Sequence, residues 1–236
     1  CMAYIIRKPN LMILKLLDMT YSLVSYPYLI SLNKNYFYID IPKSGSSFIK
    51  SSIIQNGNSI IKISKKYPHS ALFKRTLFFN SIKEKKIITF IRDPIERFCS
   101  VVRQKILCNK YLGGFSPCKF NLPYIDRKFY SYEIEDLIKK IDEVPIFRTD
   151  RHIIPQFQFI RHYLNHPNLE ILHTSEITNK LLAIGIKEAS FPNKEISLHT
   201  KKDTFNQNHL NQESKKILKN YYKEDYEILK KIKNND

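Results

Sequence analysis

The sequence predicts an α/β domain built on a parallel sheet whose strands are joined by helical crossovers. Two stretches carry that prediction. Tyr36 to Ile41 is a short run of aromatic and β-branched residues, stopped by Pro42 and followed from Ser46 by a helical pattern in Phe48, Ile49, Ile53 and Ile54. Lys86 to Ile91 (KIITFI) repeats the arrangement: a buried strand, a break at Arg92-Asp93-Pro94, then apolar residues Ile95, Phe98, Cys99, Val102 and Ile106 at helical spacing. Two consecutive strand-turn-helix units imply parallel strands, and ligands of such sheets bind beyond the carboxyl ends of the strands. The turns 42–47 and 92–94 both lie at such ends.

The remaining elements follow in order. A helix is expected over about Ser70 to Asn80, after a polar connection that contains His69. Residues 109–130 read as a long surface loop, Tyr132 to Ile141 as a helix, and Leu169 to Leu172 as a third strand. Ser175 to Gly185 reads as a helix closed by its glycine. Residues 194–206 form a basic loop, and 207–232 an amphipathic helix with a break near Asp225. The whole is one domain over 1–236, with 1–35 as an N-terminal extension and 36–232 as the core.

At 236 residues, 43% of them hydrophobic, the chain is long enough to bury a core without staples. Its net charge of +17 favours anionic partners. No zinc-finger spacing, helix-turn-helix or aromatic-basic RNA motif is present, so no nucleic-acid partner is expected. Cys1, Cys99, Cys108 and Cys118 show no metal-type pairing. Cys99 reads as packed in a helix face, and Cys108 and Cys118 as a disulfide or as two thiols. Residues 11–32 are apolar on average but carry Lys15 and Asp18, which argues against a bilayer span. An amphipathic helix on the domain or on a membrane surface fits better.

The turns carry the chemistry. Lys43-Ser44-Gly45-Ser46-Ser47 places one lysine, one glycine and three hydroxyls where a helix N-terminus leaves its N–H groups without intrahelical partners, a setting that attracts an oxyanion. Capping of the helix by Ser46 or Ser47 is the plainer alternative. The nucleoside-triphosphate loop has lysine after its second glycine, whereas here lysine precedes the glycine. At the second turn, Arg92 and Ser100 stand eight residues apart and can hold a phosphate between a guanidinium fork and a hydroxyl. Alternatively, Arg92, Asp93, Glu96 and Arg97 form only a local ion-pair network.

Taken together, IPKSGSSF and FIRDPIERFCS resemble the sulfotransferases that use 3′-phosphoadenosine 5′-phosphosulfate (PAPS). PKSGSSF resembles their 5′-phosphosulfate loop, Pro-Lys-Ser-Gly-Thr-Thr and an aromatic residue, with Ser46 and Ser47 for the threonines and Phe48 as the aromatic. Arg92 and Ser100 match the 3′-phosphate pair. RDPIERFCS is similar to the Golgi-type and bacterial carbohydrate branch (sulfotransferase family 2). The resemblance runs over roughly 36–230 and also touches His69-Ser70-Ala71 and His152-x-x-Pro155-Gln156.

The resemblance implies a fold related to nucleotide kinases and an in-line sulfuryl transfer to a hydroxyl of a carbohydrate or glycolipid, with no metal required. It implies that Lys43 stabilises the leaving bridging oxygen and that Ser44, Gly45, Ser46, Ser47 and Phe48 surround the 5′-phosphate, with Ser44 restraining Lys43. His69 is the candidate general base. His152 is the alternative base or an acceptor contact. Lys201, in a loop that departs from the family's His-x-Asn-x-Ser pattern, is a candidate phosphate contact. The acceptor is expected to be anionic, and a bacterial-type enzyme implies a cytoplasmic location with membrane-surface association. A eukaryotic enzyme of the Golgi branch implies the lumen. Competing readings are a nucleotide-dependent kinase, a basic nucleic-acid or membrane-surface binding protein, and a relative that binds nucleotide without catalysis.

Overall fold

The computed structural model describes residues 29–56, 60–62, 72–73, 75–76, 84–103, 133–143, 146, 149–187 and 205–234. Their centre is a five-stranded sheet of β1 (Leu29–Ser31), β2 (Tyr36–Ile39), β5 (Arg75–Thr76), β6 (Lys86–Ile91) and β7 (Leu169–His173), in the order β5-β1-β2-β6-β7. β2, β6 and β7 pair in parallel, as the repeated strand-turn-helix units predict. β1 runs antiparallel to both β2 and β5. The sheet is therefore mixed at one side, and it begins before residue 36, where the core was expected to start. A three-residue strand is too short to show a periodicity, and it is its hairpin partner β2 that defines it.

β6 is buried from Ile87 to Ile91, the continuous apolar run of a strand covered on both faces. Ile88 and Phe90 face one layer with Tyr38, Ile49 and Ile53 of α1 (Ser46–Gln55), and Ile177 and Leu181 of the helix at Ile177–Ala183. Ile87 and Ile91 face the other, with Ile39, Phe159, Ile160 and Leu229. A further cluster joins α2 (Pro94–Val101) to α3 (Ile134–Lys139) and the C-terminal region through Phe98, Cys99, Val102, Leu137 and Leu218. Numbering on from these, α4 is Phe157–Ile160, α5 Ile177–Ala183, α6 Gln212–Tyr221 and α7 Lys223–Lys233.

Helix ends follow local chemistry. Asp93 caps α2 by accepting the Glu96 N–H at 2.9 Å, with Pro94 in the first turn. Gly185, at φ 80°, ends α5, where the Ile186 N–H donates to the Leu181 carbonyl at 2.8 Å. The C-terminal helix breaks at Tyr222, three residues before Asp225. At its described residues the helix expected over 70–80 gives way to strands, Leu72–Phe73 (β4) and Arg75–Thr76 (β5), β4 pairing with β3 (Ile60–Lys62) and β5 with β1. Ladder hydrogen bonds from a neighbouring strand override local helical spacing here. Among the described residues no helix is long and apolar enough to cross a membrane.

Among the described residues Arg97 is the largest fully buried side chain. Its guanidinium donates to the Pro42 carbonyl at 2.9 Å, to Ile154 at 2.9 Å and to Arg151 at 3.4 Å, tying α2 to the first turn and to the segment before α4. Arg97→Met retains bulk but leaves these carbonyls without their donor. It is expected to cost about 3 kcal/mol, read as a lower urea midpoint. An unchanged midpoint would show that the carbonyls find other donors.

Candidate active site

Parallel pairing of β2 with β6 brings the two turns side by side at one end of the sheet. In the first, Gly45 is the N-cap of α1 at φ 78°, and no side chain caps the helix, so Ser46 and Ser47 occupy the first turn and the capping alternative does not hold. The positive end of a ten-residue helix thus opens on the turn without a side-chain acceptor. Lys43 is left-handed, at φ 67°. For a side chain with a Cβ that conformation costs about 1–2 kcal/mol, and such strain gathers at ligand clamps. Gly45 has a second reason to be glycine, because a Cβ there would run into Cδ1 of Ile177 on α5.

The hydroxyls of this turn have distinct partners. Ser44 is fully buried and donates to Gln156 Oε1 at 2.8 Å. Ser46 donates to Asp40 Oδ1 at 2.6 Å, and Lys50 forms an ion pair with the other carboxylate oxygen. Ser47 is exposed. Asp40 escaped the sequence reading, although a lone carboxylate just before the turn, ten residues from a lysine, was a usable signal. Burial alone would raise its pKa. The Lys50 ammonium, the Ser46 hydroxyl and, farther off, Arg151 outweigh burial and hold the carboxyl below its ordinary value.

At the second turn, Arg92 Nε donates to Glu96 Oε2 at 3.1 Å, a partly exposed pair that a phosphate can displace at small cost. The ion-pair alternative holds for Arg92 and Glu96 alone: Asp93 is a cap, and Arg97 bonds to carbonyls. A cavity of about 300 Å³ lies between the stripe Arg92, Glu96, Cys99 and Arg103 and the turn Asn206-Gln207-Asn208. Arg103 fastens the two walls by donating to the Phe205 carbonyl at 2.5 Å. Ser100, half-buried, follows Cys99 on α2 but is not among the residues lining this cavity. The Cys99 thiol is pushed up to about 11 by burial and is inert at neutral pH.

His152 stands before α4. Its Nδ1 lies 2.6 Å from Asp150 Oδ1, and Asp150 is fully buried. Arg97, bonded to the carbonyls of Pro42, Arg151 and Ile154, holds this segment against the first turn. The structure thus gathers Lys43 to Phe48, Arg92 and His152 at one sheet end. His69, Lys201, Cys108, Cys118 and the loop 109–130 lie outside the described residues. Gln156 was legible only as part of the stretch His152-x-x-Pro155-Gln156, and Arg103 not at all, because the roles of both depend on contacts with residues far away in the chain.

The model of the sulfotransferase family matches residues 26–231, which include both turns, the Asp150–Gln156 segment and nearly all of α7. This chain belongs to the sulfotransferase family. No curated protein sequence and no solved structure gives a significant match to it. Membership implies a transferase that moves a sulfuryl group to an acceptor substrate, and the matched range contains both turns of this sulfotransferase.

Asp40 provides a test of the first turn. Its folded-state pKa lies below the unperturbed 3.8, so its contribution to stability is present above that value and is lost as pH falls through the folded one. Asp40→Asn is expected to be less stable than wild type at neutral pH and to lose less on acidification. Urea unfolding at a series of pH values checks this, and parallel curves would contradict it.

Proposed function

We propose that this sulfotransferase uses PAPS as donor and sulfates a hydroxyl of a carbohydrate or glycolipid acceptor, with an anionic acceptor favoured by the charge of +17. The observation that carries the reading is the juxtaposition of two anion-binding turns on adjacent parallel strands. The residues fit such a donor: an uncapped helix terminus beside a strained lysine suits the 5′ group, and Arg92 on a roomy cavity suits the 3′-phosphate.

When bound, the nucleotide supplies an activated sulfuryl group on a good leaving phosphate. The N–H groups at the start of α1 hold the 5′-phosphate, assisted by the Ser47 hydroxyl. Ser46 contributes its backbone, since its hydroxyl proton is directed to Asp40. Lys43 neutralises the charge that builds on the bridging oxygen as its bond to sulfur breaks, so positioning and electrostatics supply most of the acceleration. Arg92 holds the 3′-phosphate; the family resemblance pairs it with Ser100, which does not line the cavity beside Arg92, and makes Lys201 a further phosphate contact.

The acceptor hydroxyl gives up its proton to a histidine as its oxygen bonds to sulfur. His69 is the base expected from sequence. The contact with Asp150 supports His152: a buried carboxylate accepting from Nδ1–H fixes the tautomer in which Nε2 is the basic nitrogen and stabilises the protonated ring. If His152 is the base, Asp150→Asn lowers kcat about 100-fold or more with little change in nucleotide KM. A variant with wild-type kcat would return the role to His69.

The cofactor is tested by calorimetric titration of wild type and Arg92→Ala with 3′,5′-bisphosphoadenosine, beside ATP with Mg²⁺. Binding of the bisphosphate in the micromolar range, weaker ATP binding, and at least about tenfold loss in the variant are expected. A folded protein that ignores the bisphosphate would sink the reading, and Mg²⁺-dependent ATP turnover would replace it with a kinase.

A further inference from the structure

Gln156 is fully buried, and its side-chain amide bonds in four directions. Oε1 accepts from the Ser44 hydroxyl at 2.8 Å and from the Arg92 backbone N–H at 3.0 Å. Nε2 donates to the Arg92 carbonyl at 2.8 Å and to Asp225 Oδ2 at 3.4 Å. Two donors face the oxygen and two acceptors face the nitrogen, so the amide has one consistent orientation and its bonding capacity is used. Asp225 holds the amide in place by also accepting the backbone N–H groups of Gln156 at 2.9 Å and Phe157 at 2.7 Å.

The oxygen of this amide meets both the Ser44 hydroxyl of the first turn and the Arg92 backbone N–H of the second, and the nitrogen adds the Arg92 carbonyl, so one side chain grips both turns. The sheet sets the positions of β2 and β6, but each turn leaves its strand through a break, at Pro42 and at Asp93-Pro94. Beyond those breaks no ladder bond fixes the distance between the turns. Among the described side chains, Gln156 is the one whose hydrogen bonds reach both residue 44 and residue 92.

We infer that Gln156 is a positioning residue that sets the spacing of the two anion turns, so that a ligand carrying two anionic groups at that spacing binds far more tightly than either group alone. The inference deepens the nucleotide reading above and rests on it. Ser44 acts in the same way: its buried hydroxyl is spent on Gln156, which makes it part of the spacer rather than a direct donor to the ligand.

The reason is preorganisation. Two rigidly spaced subsites make the second contact intramolecular, and a mobile spacing forfeits that advantage while leaving each subsite intact. The experiment compares 3′,5′-bisphosphoadenosine with adenosine 5′-phosphate and adenosine 3′-phosphate, by calorimetry, on wild type, Gln156→Met and Ser44→Ala. The preference of wild type for the bisphosphate is expected to fall about tenfold in Gln156→Met and by a smaller factor in Ser44→Ala, each monophosphate staying within about twofold of wild type. Should Gln156→Met fail to fold, Ser44→Ala decides.

An unchanged preference in a folded variant would overturn the inference. So would an equal loss for all three ligands, which is what general destabilisation produces. Wild type that binds none of them would instead bring down the nucleotide reading itself.

Discussion

Beneath the two turns lies a buried polar assembly of Arg97, Gln156 and Asp225, and the geometry of the sheet end depends on it. Arg97 and Asp225 carry charge into the core, where burial disfavours the charged form of each: it lowers the pKa of the guanidinium and raises that of the carboxyl. Neither is left bare. Arg97 is surrounded by carbonyls, and Asp225 by backbone N–H groups and the Gln156 amide. Tyr222 adds a bond from its hydroxyl to the Ile153 carbonyl at 2.6 Å. A network of this kind is costly when half satisfied and specific when complete. It joins α2, the segment before α4 and α7 to one pair of turns.

Above this assembly the electrostatics run in the opposite sense to those of a simple cationic pocket. Asp40 places a carboxylate beside a turn that the helix terminus and Lys43 make attractive to anions. Lys50 compensates that charge, and Ser46 directs its hydroxyl proton to it. The cationic residues near the turns therefore divide by partner: Lys50 balances Asp40, Arg97 serves carbonyls, and Arg92 pairs with the partly exposed Glu96. Net charge alone cannot separate these roles, because it counts every cation alike, whatever its partner.

The C-terminal segment belongs to the site as much as the motifs do. Asn206 to Asn208 close one side of the cavity beside Arg92, and Arg103 anchors that wall through the Phe205 carbonyl. Stacking of Phe205 on His209 and packing of Leu210 in the core continue the attachment. α6 and α7 follow at once, and α7 delivers Asp225 to Gln156. A change near residue 225 thus reaches both turns through hydrogen bonds rather than through distant packing.

The parallel core was legible in the sequence because its signals are local. A proline at a strand end, an apolar period and a glycine before a helix each act within a few residues, so both strand-turn-helix units and the places of Lys43 and Arg92 could be read directly. β1 and β5 could not, since strands of two or three residues owe their existence to the neighbour that pairs with them. The same limit governs the site. Local spacing marks which residues bear charge at a turn, but Ser44, Arg92 and Asp225 meet at Gln156 across 64 to 112 residues of chain. Burial makes that meeting matter: in a dry interior each polar atom must find a partner, and only the folded chain determines which one.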